Sequence, residues 1–224
     1  TADGNITLGL LSATSGDISV DSTNGSIKES TADETGGVIV DITSTGGVVT
    51  LKAATGIGSS GTNNAIDTTV VTLELDNLTS GDVYILESDA LTLNASSSAG
   101  GNLDVQVDDG DLTVAGALST SGSGTITLAT TNATGNIIVN KGITTDSGLI
   151  SIESGDALTF GEYGDLNTNN GAITVTAGDV STTGTSDLTM NPDTVIKAAG
   201  TGTITATADG NITLGLLSAT SGDI

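Results

Sequence analysis

The sequence has no cysteine, histidine, tryptophan or arginine, and only one proline and one methionine. Its cations are Lys28, Lys52, Lys141 and Lys197, and its large rings are Tyr84, Tyr163 and Phe160. Aromatics at 1% argue against an ordinary globule with a ring-filled core. Four scattered lysines cannot make a basic patch, so nucleic acid and anionic membrane surfaces are excluded as partners. No apolar run approaches the ~20 residues of a membrane span. No signal peptide opens the chain, which starts mid-pattern at Thr1-Ala2-Asp3-Gly4 and is expected to be an internal excerpt. Lack of cysteine suits a chain that crosses membranes unfolded and holds together without disulfides.

What is present is acid, glycine and short aliphatic runs. There are 27 Asp plus Glu, a formal charge of −23, and 32 glycines. Acidic, aromatic-poor chains are often disordered. Here 36% of residues are apolar and the mean hydropathy is +0.18. The Ile, Val, Leu and Ala fall in short alternating runs, which favours thin strands around a narrow aliphatic core over disorder.

Two repeats are nested. Residues 1–18, TADGNITLGLLSATSGDI, recur letter for letter as residues 207–224, an offset of 206 residues (207 − 1). Residues 1–206 therefore read as one period, and 207–224 as the start of an identical one, continuous with the first because no Pro/Gly/Ser spacer separates them. Within the period runs Gly-x-[Ile/Leu/Val], as in Gly4-Asn5-Ile6-Thr7-Leu8, Gly110-Asp111-Leu112-Thr113-Val114, Gly124-Thr125-Ile126-Thr127-Leu128 and Gly171-Ala172-Ile173-Thr174-Val175. Glycine suits a tight corner needing φ > 0, and the following Asn or Asp is expected to bond back to its own turn. The next three residues alternate in, out, in.

Such strands are short, and two-residue hairpin signals between them are scarce, so an antiparallel meander fits poorly. The fold class expected is all-β: a parallel β-solenoid with about three short strands per coil of roughly 22–24 residues, and roughly 7–9 coils per period. One coil alone cannot offset the entropy of ordering its backbone, so neighbours must cover both of its faces. Strand starts are expected at Gly16, Gly25, Gly37 and Gly47, and long corners at 53–64 and 94–101. Asn191-Pro192-Asp193 reads as a turn. Ile6, Leu8, Ile126, Leu128, Ile173, Val175, Ile204 and Ile212 are expected to point inward.

The Gly-x-Ile/Leu ladder resembles the filamentous-haemagglutinin type of parallel β-helix found in two-partner-secreted exoproteins and giant bacterial surface proteins. The resemblance is closest over Gly56-Ile57-Gly58-Ser59, Asn64-Ala65-Ile66-Asp67-Thr68, Gly81-Asp82-Val83-Tyr84-Ile85 and Asp89-Ala90-Leu91-Thr92-Leu93. It implies right-handed winding, an extracellular or cell-surface location and a fibre or adhesin stalk. The partners expected are neighbouring repeats, copies stacked end to end and laterally associated filaments, with no membrane insertion.

Three chemistries compete with a purely structural role. Paired carboxylates do acid–base work in β-helical polysaccharide hydrolases, and Asp108, Asp109 and Asp111 are the densest group. No sugar-stacking aromatics cluster with them, so a solvated acidic corner is the better reading and no catalytic residue is assigned. Recurrent Gly-Asp corners, at Asp17, Asp82, Asp111, Asp156, Asp165 and Asp179, would repel if stacked. The expectation is therefore weak calcium binding, with Asp108, Asp109 and Asp111 as candidates, and no required cofactor; the Gly-Gly-x-Gly-x-Asp calcium motif and the EF-hand loop are both absent. Outward threonines (Thr7, Thr72, Thr92, Thr113, Thr127, Thr174, Thr189) admit an ice-binding face, but Thr is also simply a good outward strand residue. The sequence reading is a non-enzymatic structural segment of a tandem-repeat filament or stalk. Its alternatives are an adhesin stalk whose binding tip lies elsewhere and a polysaccharide-active β-helix.

Overall fold

The computed structural model describes residues 1–30, 40–60, 64–180 and 185–224. Among them there is no helix, and every strand pairing is parallel. The expected strand start at Gly37 lies outside the described residues.

The first two coils each run short, short, long, and the third runs a single bridging residue, a five-residue strand and a six-residue strand. They are β1 (Ile6–Leu8), β2 (Leu11–Ala13) and β3 (Ile18–Ser22); then β4 (Ile27–Glu29), β5 (Ile42–Ser44) and β6 (Val49–Ala53); then a single-residue bridge at Ile57, β7 (Ile66–Val70) and β8 (Thr72–Asn77). The later coils run long, short, short. They are β9 (Val83–Glu87), β10 (Leu91–Leu93), β11 (Ser96–Ser98); β12 (Leu103–Val107), β13 (Leu112–Val114), β14 (Leu118–Thr120); β15 (Ile126–Thr130), β16 (Ile137–Val139), β17 (Ile143–Thr145); β18 (Ile150–Ser154), β19 (Leu158–Phe160), β20 (Leu166–Thr168); β21 (Ile173–Ala177), β22 (Leu188–Met190), β23 (Val195–Ala198); and β24 (Ile204–Ala208), β25 (Ile212–Thr213), β26 (Leu216–Ala219). A nine-stranded ladder, β2-β5-β7-β9-β12-β15-β18-β21-β24, fixes the number of levels.

The two faces exchange roles at β8 and β9. Below, β3 and β6 form the long side and stack under β8. Above, β8 carries two short strands: Thr72 and Leu73 pair with β10, and Asp76 and Asn77 pair with β11. On the opposite face Ile57 bridges to Val83 while Ile66–Thr68 pairs with Ile85–Glu87, so β9 is the first strand to span that face alone, above a bridging residue and β7. Two strands that each span a whole face, β8 and β9, therefore follow each other, joined through residues 78–82.

This exchange positions the repeated eighteen residues. β1 and β2 lie on the face later occupied by β9 and β12, whereas β25 and β26 stack on β22 and β23, on the other face. The second copy keeps the short-strand pair of the first but sits across the coil from it. One period covers eight coils and the first half of another. The ladder crosses the repeat boundary inside β24, whose Ile204–Ala208 pairs with Ile173–Ala177 throughout.

Strands form where the sequence alternates. Five-residue strands such as β12, β15 and β21 bury residues one, three and five. Ile126, Leu128, Ile173 and Val175 are fully buried and Leu8 and Ile204 nearly so, whereas Thr127 and Thr174 are half-exposed. Ile6 is half-buried. Ile212 is 44% exposed, contrary to expectation, because no described strand stacks above β25. The core is a column of Ile, Val and Leu, with Phe160 stacked between Val139 and Met190.

Register partners range from 19 residues apart (Ile66 to Ile85) to 31 apart (Ile18 to Val49), bracketing the expected coil length. The 191–194 segment is a turn closed by Thr194 N–H to Asn191 O, 3.0 Å. Two expected corners are partly ladder. Residues 53–64 include the end of β6 and the bridging Ile57, and 94–101 include β11, whose serines follow the strand alternation with Ser96 and Ser98 inward. Many motif glycines serve close approach rather than φ > 0. A Cβ on Gly101, Gly124, Gly148, Gly171, Gly202 or Gly222 would strike the carbonyl of the glycine one coil below, so they form a single glycine column.

Candidate functional site

Many corner Asn and Asp residues, most of them directly after a motif glycine, act between coils and not within their own turn. Asn5 Oδ1 accepts the Ser26 N–H at 3.0 Å, and Asp17 Oδ1 that of Val48 at 2.8 Å. Asp82 Oδ1 accepts Asn102 N–H at 2.8 Å, and Asn102 Oδ1 in turn accepts Thr125 N–H at 3.0 Å. Asp111 accepts Asn136 N–H at 2.9 Å, and Asn136 accepts Ala157 N–H at 3.1 Å. Asp165 and Asp187 do the same for Val195 and Asn211. Corners leave backbone N–H groups outside the strand ladder, and an Asx oxygen one coil below satisfies them. In none of these pairs does an aspartate lie beneath an aspartate, so Asp17, Asp82, Asp111 and Asp165 do not meet the repulsion that stacked Gly-Asp corners would bring.

Asp108, Asp109 and Asp111 each bond upward to a separate partner. Asp108 Oδ1 accepts Thr131 Oγ1–H at 3.2 Å and Gln106 Nε2–H at 3.0 Å. Asp109 accepts the Asn132 amide, and Asp111 takes Asn136. Among the described residues, the carboxylates that do converge are Glu29, Asp41 and Asp67, all buried, each offering one oxygen within 4.8 Å of the others. Asp67 N–H donates to Asp41 Oδ2 at 3.1 Å, and Asp41 N–H to the Asp67 carbonyl at 2.8 Å. An all-oxygen set of this kind matches a hard divalent cation. Sequence reasoning missed it because the three come from β4, the residue before β5, and β7, and only coil stacking brings them together.

One coil higher, buried Glu87 accepts Thr68 Oγ1–H at 2.7 Å and the Val70 N–H at 3.1 Å. Burial pushes its carboxyl up to about 8, against the lowering effect of those donors. Where β8 splits, Ser96 Oγ accepts the Leu75 N–H at 3.1 Å. Leu75 lies between the residues of β8 that pair with β10 and those that pair with β11, so the serine replaces a missing ladder partner. Beside it, fully buried Asn77 donates to Ser98 Oγ at 3.2 Å and accepts Gly56 N–H at 3.0 Å.

Tyr84 borders a cleft of about 460 Å³ with Lys28, Gly56, Ser59 and Asp82. Asp104 is its register neighbour on the coil above, and burial, with Glu153 as a smaller cause, raises the Asp104 carboxyl. Tyr163 is exposed, with Lys141 Nζ 4.8 Å from its ring centre. On the other face Thr72, Thr92, Thr113, Thr159, Thr189 and Thr213 form one outward column, interrupted by Ile138. Cross-strand Thr pairs of this kind stabilise a sheet surface. Among the described residues no helix is long and apolar enough to cross a membrane. No protein-family model matches the chain, and no curated protein or solved structure matches it significantly.

Proposed function

We infer that the chain is a structural, non-catalytic segment of a long tandem-repeat filament or stalk of the filamentous-haemagglutinin type, right-handed and carried outside the cell. The observation that carries this reading is the parallel ladder running without interruption through the repeat boundary in β24. A string of separate domains needs a linker there. The polar groups outside the core support the same reading. Most of the corner carboxylates and amides are engaged in bonds between coils, which is work for a rod. A surface of formal charge −23 keeps such rods apart in solution. A binding tip, if the filament is an adhesin stalk, belongs to another part of the parent protein. Divalent cations bind weakly and are not required for folding.

Small-angle scattering on chains of one, two and three periods tests the rod. The expected result is a fixed increment of about 40 Å in length per period, one strand spacing per coil. Growth with the square root of the number of periods would mean beads on a flexible string and would overturn the reading. Antibody labelling of intact and permeabilised cells of the source organism tests location, with equal labelling only after permeabilisation counting against it.

A further inference from the structure

We propose that the slot between Lys28 and Tyr84, on the outer surface of the shaft, binds a neutral oligosaccharide with one pyranose ring lying against Tyr84. This goes beyond the structural reading and leaves it intact, because the ligand sits on the side of the rod.

The slot is made where one coil presents no side chain. Ile57 bridges to Ile27 below and to Val83 above, so Lys28, Gly58 and Tyr84 follow one another on the outer surface. Asp104 lies above Tyr84. Among the described residues, every other level of this column carries a side chain, from Thr7 to Thr205. Ile57 is flanked by Gly56 at φ 115° and Gly58 at φ 66°. A Cβ on Gly58 would lie 2.6 Å from the Tyr84 carbonyl oxygen, and one on Gly56 3.1 Å from that of Asp82. The backbone therefore keeps this level bare. Beneath it β4 pairs with β1, and above it β9 pairs with β12, so the slot is interior to the ladder.

From the level of Lys28 to that of Tyr84 is two strand spacings, about 9.6 Å. Carbon surfaces meet at about 3.5–4.0 Å, so one saturated ring fits between them. The cleft measures about 460 Å³, and Thr55, Ser59 and Asp82 border it with Lys28 and Tyr84. A second cleft of about 280 Å³ shares Tyr84 and Ser59 and runs on past Leu86, Asp104 and Gln106. Tyr84 borders both, so the groove takes a chain of sugars rather than one.

The lining matches a sugar's two kinds of surface. Half-exposed Tyr84 offers a ring to the apolar C–H face of a pyranose. Lys28, Thr55 and Ser59 are exposed and donate to its hydroxyls. Asp82 gives Oδ1 to the Asn102 N–H at 2.8 Å and keeps Oδ2 for a ligand hydroxyl. The charge of −23 decides against uronates, sulfated sugars and nucleotides, which one lysine cannot hold against that field. A neutral sugar is indifferent to it.

The intact chain is titrated by saturation-transfer NMR with cellotriose, maltotriose, mannotriose, chitotriose and trigalacturonate. At least one neutral trisaccharide is expected to bind, with Kd on the order of 1 mM. Tyr84→Ala should weaken that binding about tenfold. Tyr163→Ala, at the other exposed tyrosine, should leave it unchanged. Circular dichroism and melting temperature check that each variant is folded. If Tyr84→Ala is not, Lys28→Ala decides in its place, because Lys28 is exposed, and it should weaken binding about threefold. No binding of any neutral probe up to about 20 mM overturns the site. So does binding that the deciding substitution leaves unchanged, or tightest binding by trigalacturonate. In each case the rod stands.

Discussion

Asp111 Oδ1 receives two bonds from Asn136, one from its backbone N–H and one from its side-chain amide, both at 2.9 Å. The pair joins corners of consecutive coils, and Asn136 passes the same bond on to Ala157. The chain's abundance of Asx after glycine thus has a mechanical meaning. It locks the register of one coil to the next outside the strands.

Replacing Asn102 tests that lock. Asn102→Ala removes the acceptor of both Thr125 N–H and Thr125 Oγ1–H. The expected cost is about 1–2 kcal/mol, with faster amide exchange at Thr125. Asp82→Asn, which keeps the acceptor beneath Asn102 and places no aspartate over another, should cost far less. No loss on Asn102→Ala would show that the bond contributes nothing.

Gly148 should tolerate nothing larger. An added methyl meets the Gly124 carbonyl and prises two coils apart, so Gly148→Ala is expected to destabilise by about 3 kcal/mol in denaturant melts. Gly142→Ala, where the added carbon meets only the Asp165 carbonyl at an ordinary 3.7 Å, should change stability by less than about 0.5 kcal/mol.

Ser96→Ala leaves the Leu75 N–H buried without its partner. The expected loss is about 1–3 kcal/mol. Hydrogen exchange at Leu75 should accelerate well before exchange at residues of the regular ladder such as Val105 and Leu128, which pair with each other in register. Uniform acceleration along the rod would instead indicate global loosening.

Glu87 makes stability depend on pH in the unusual direction for a carboxyl. Its folded-state value is raised to about 8 from an ordinary 4.5, so between those values the folded chain holds a proton that the unfolded chain has released. Its contribution is complete below about pH 4.5 and is lost as pH rises through about 8. Melting temperature should fall across that window, and Glu87→Gln should flatten the fall by an amount worth roughly 2–5 kcal/mol. A slope unchanged by the substitution would place its origin elsewhere.

The strands were legible wherever Gly-x-Ile-Thr-Leu alternation was strong, as at Ile126–Leu128, because the strand period is local. The Ser96–Ser98 strand was not. Its inward side chains are serines, chosen by the broken ladder of β8, and a serine run carries the composition of a loop. The convergence of Glu29, Asp41 and Asp67 was equally hidden. Coils of unequal length set no fixed spacing between residues that stack. The exchange of faces at β8 and β9 depends on two consecutive strands that each span a whole face, which read individually like any others.

The half coil left over in each period has a consequence for anything built from many of them. If one period stacks on the next as residues 207–224 stack on β22–β24, equivalent side chains alternate between opposite flanks of the shaft. A bow or a lopsided charge built into one period is then countered by its successor, so the pair runs straight where either alone would curve. Any neighbour gripping a single flank would meet the same chemical patch only at every second period, about 80 Å apart.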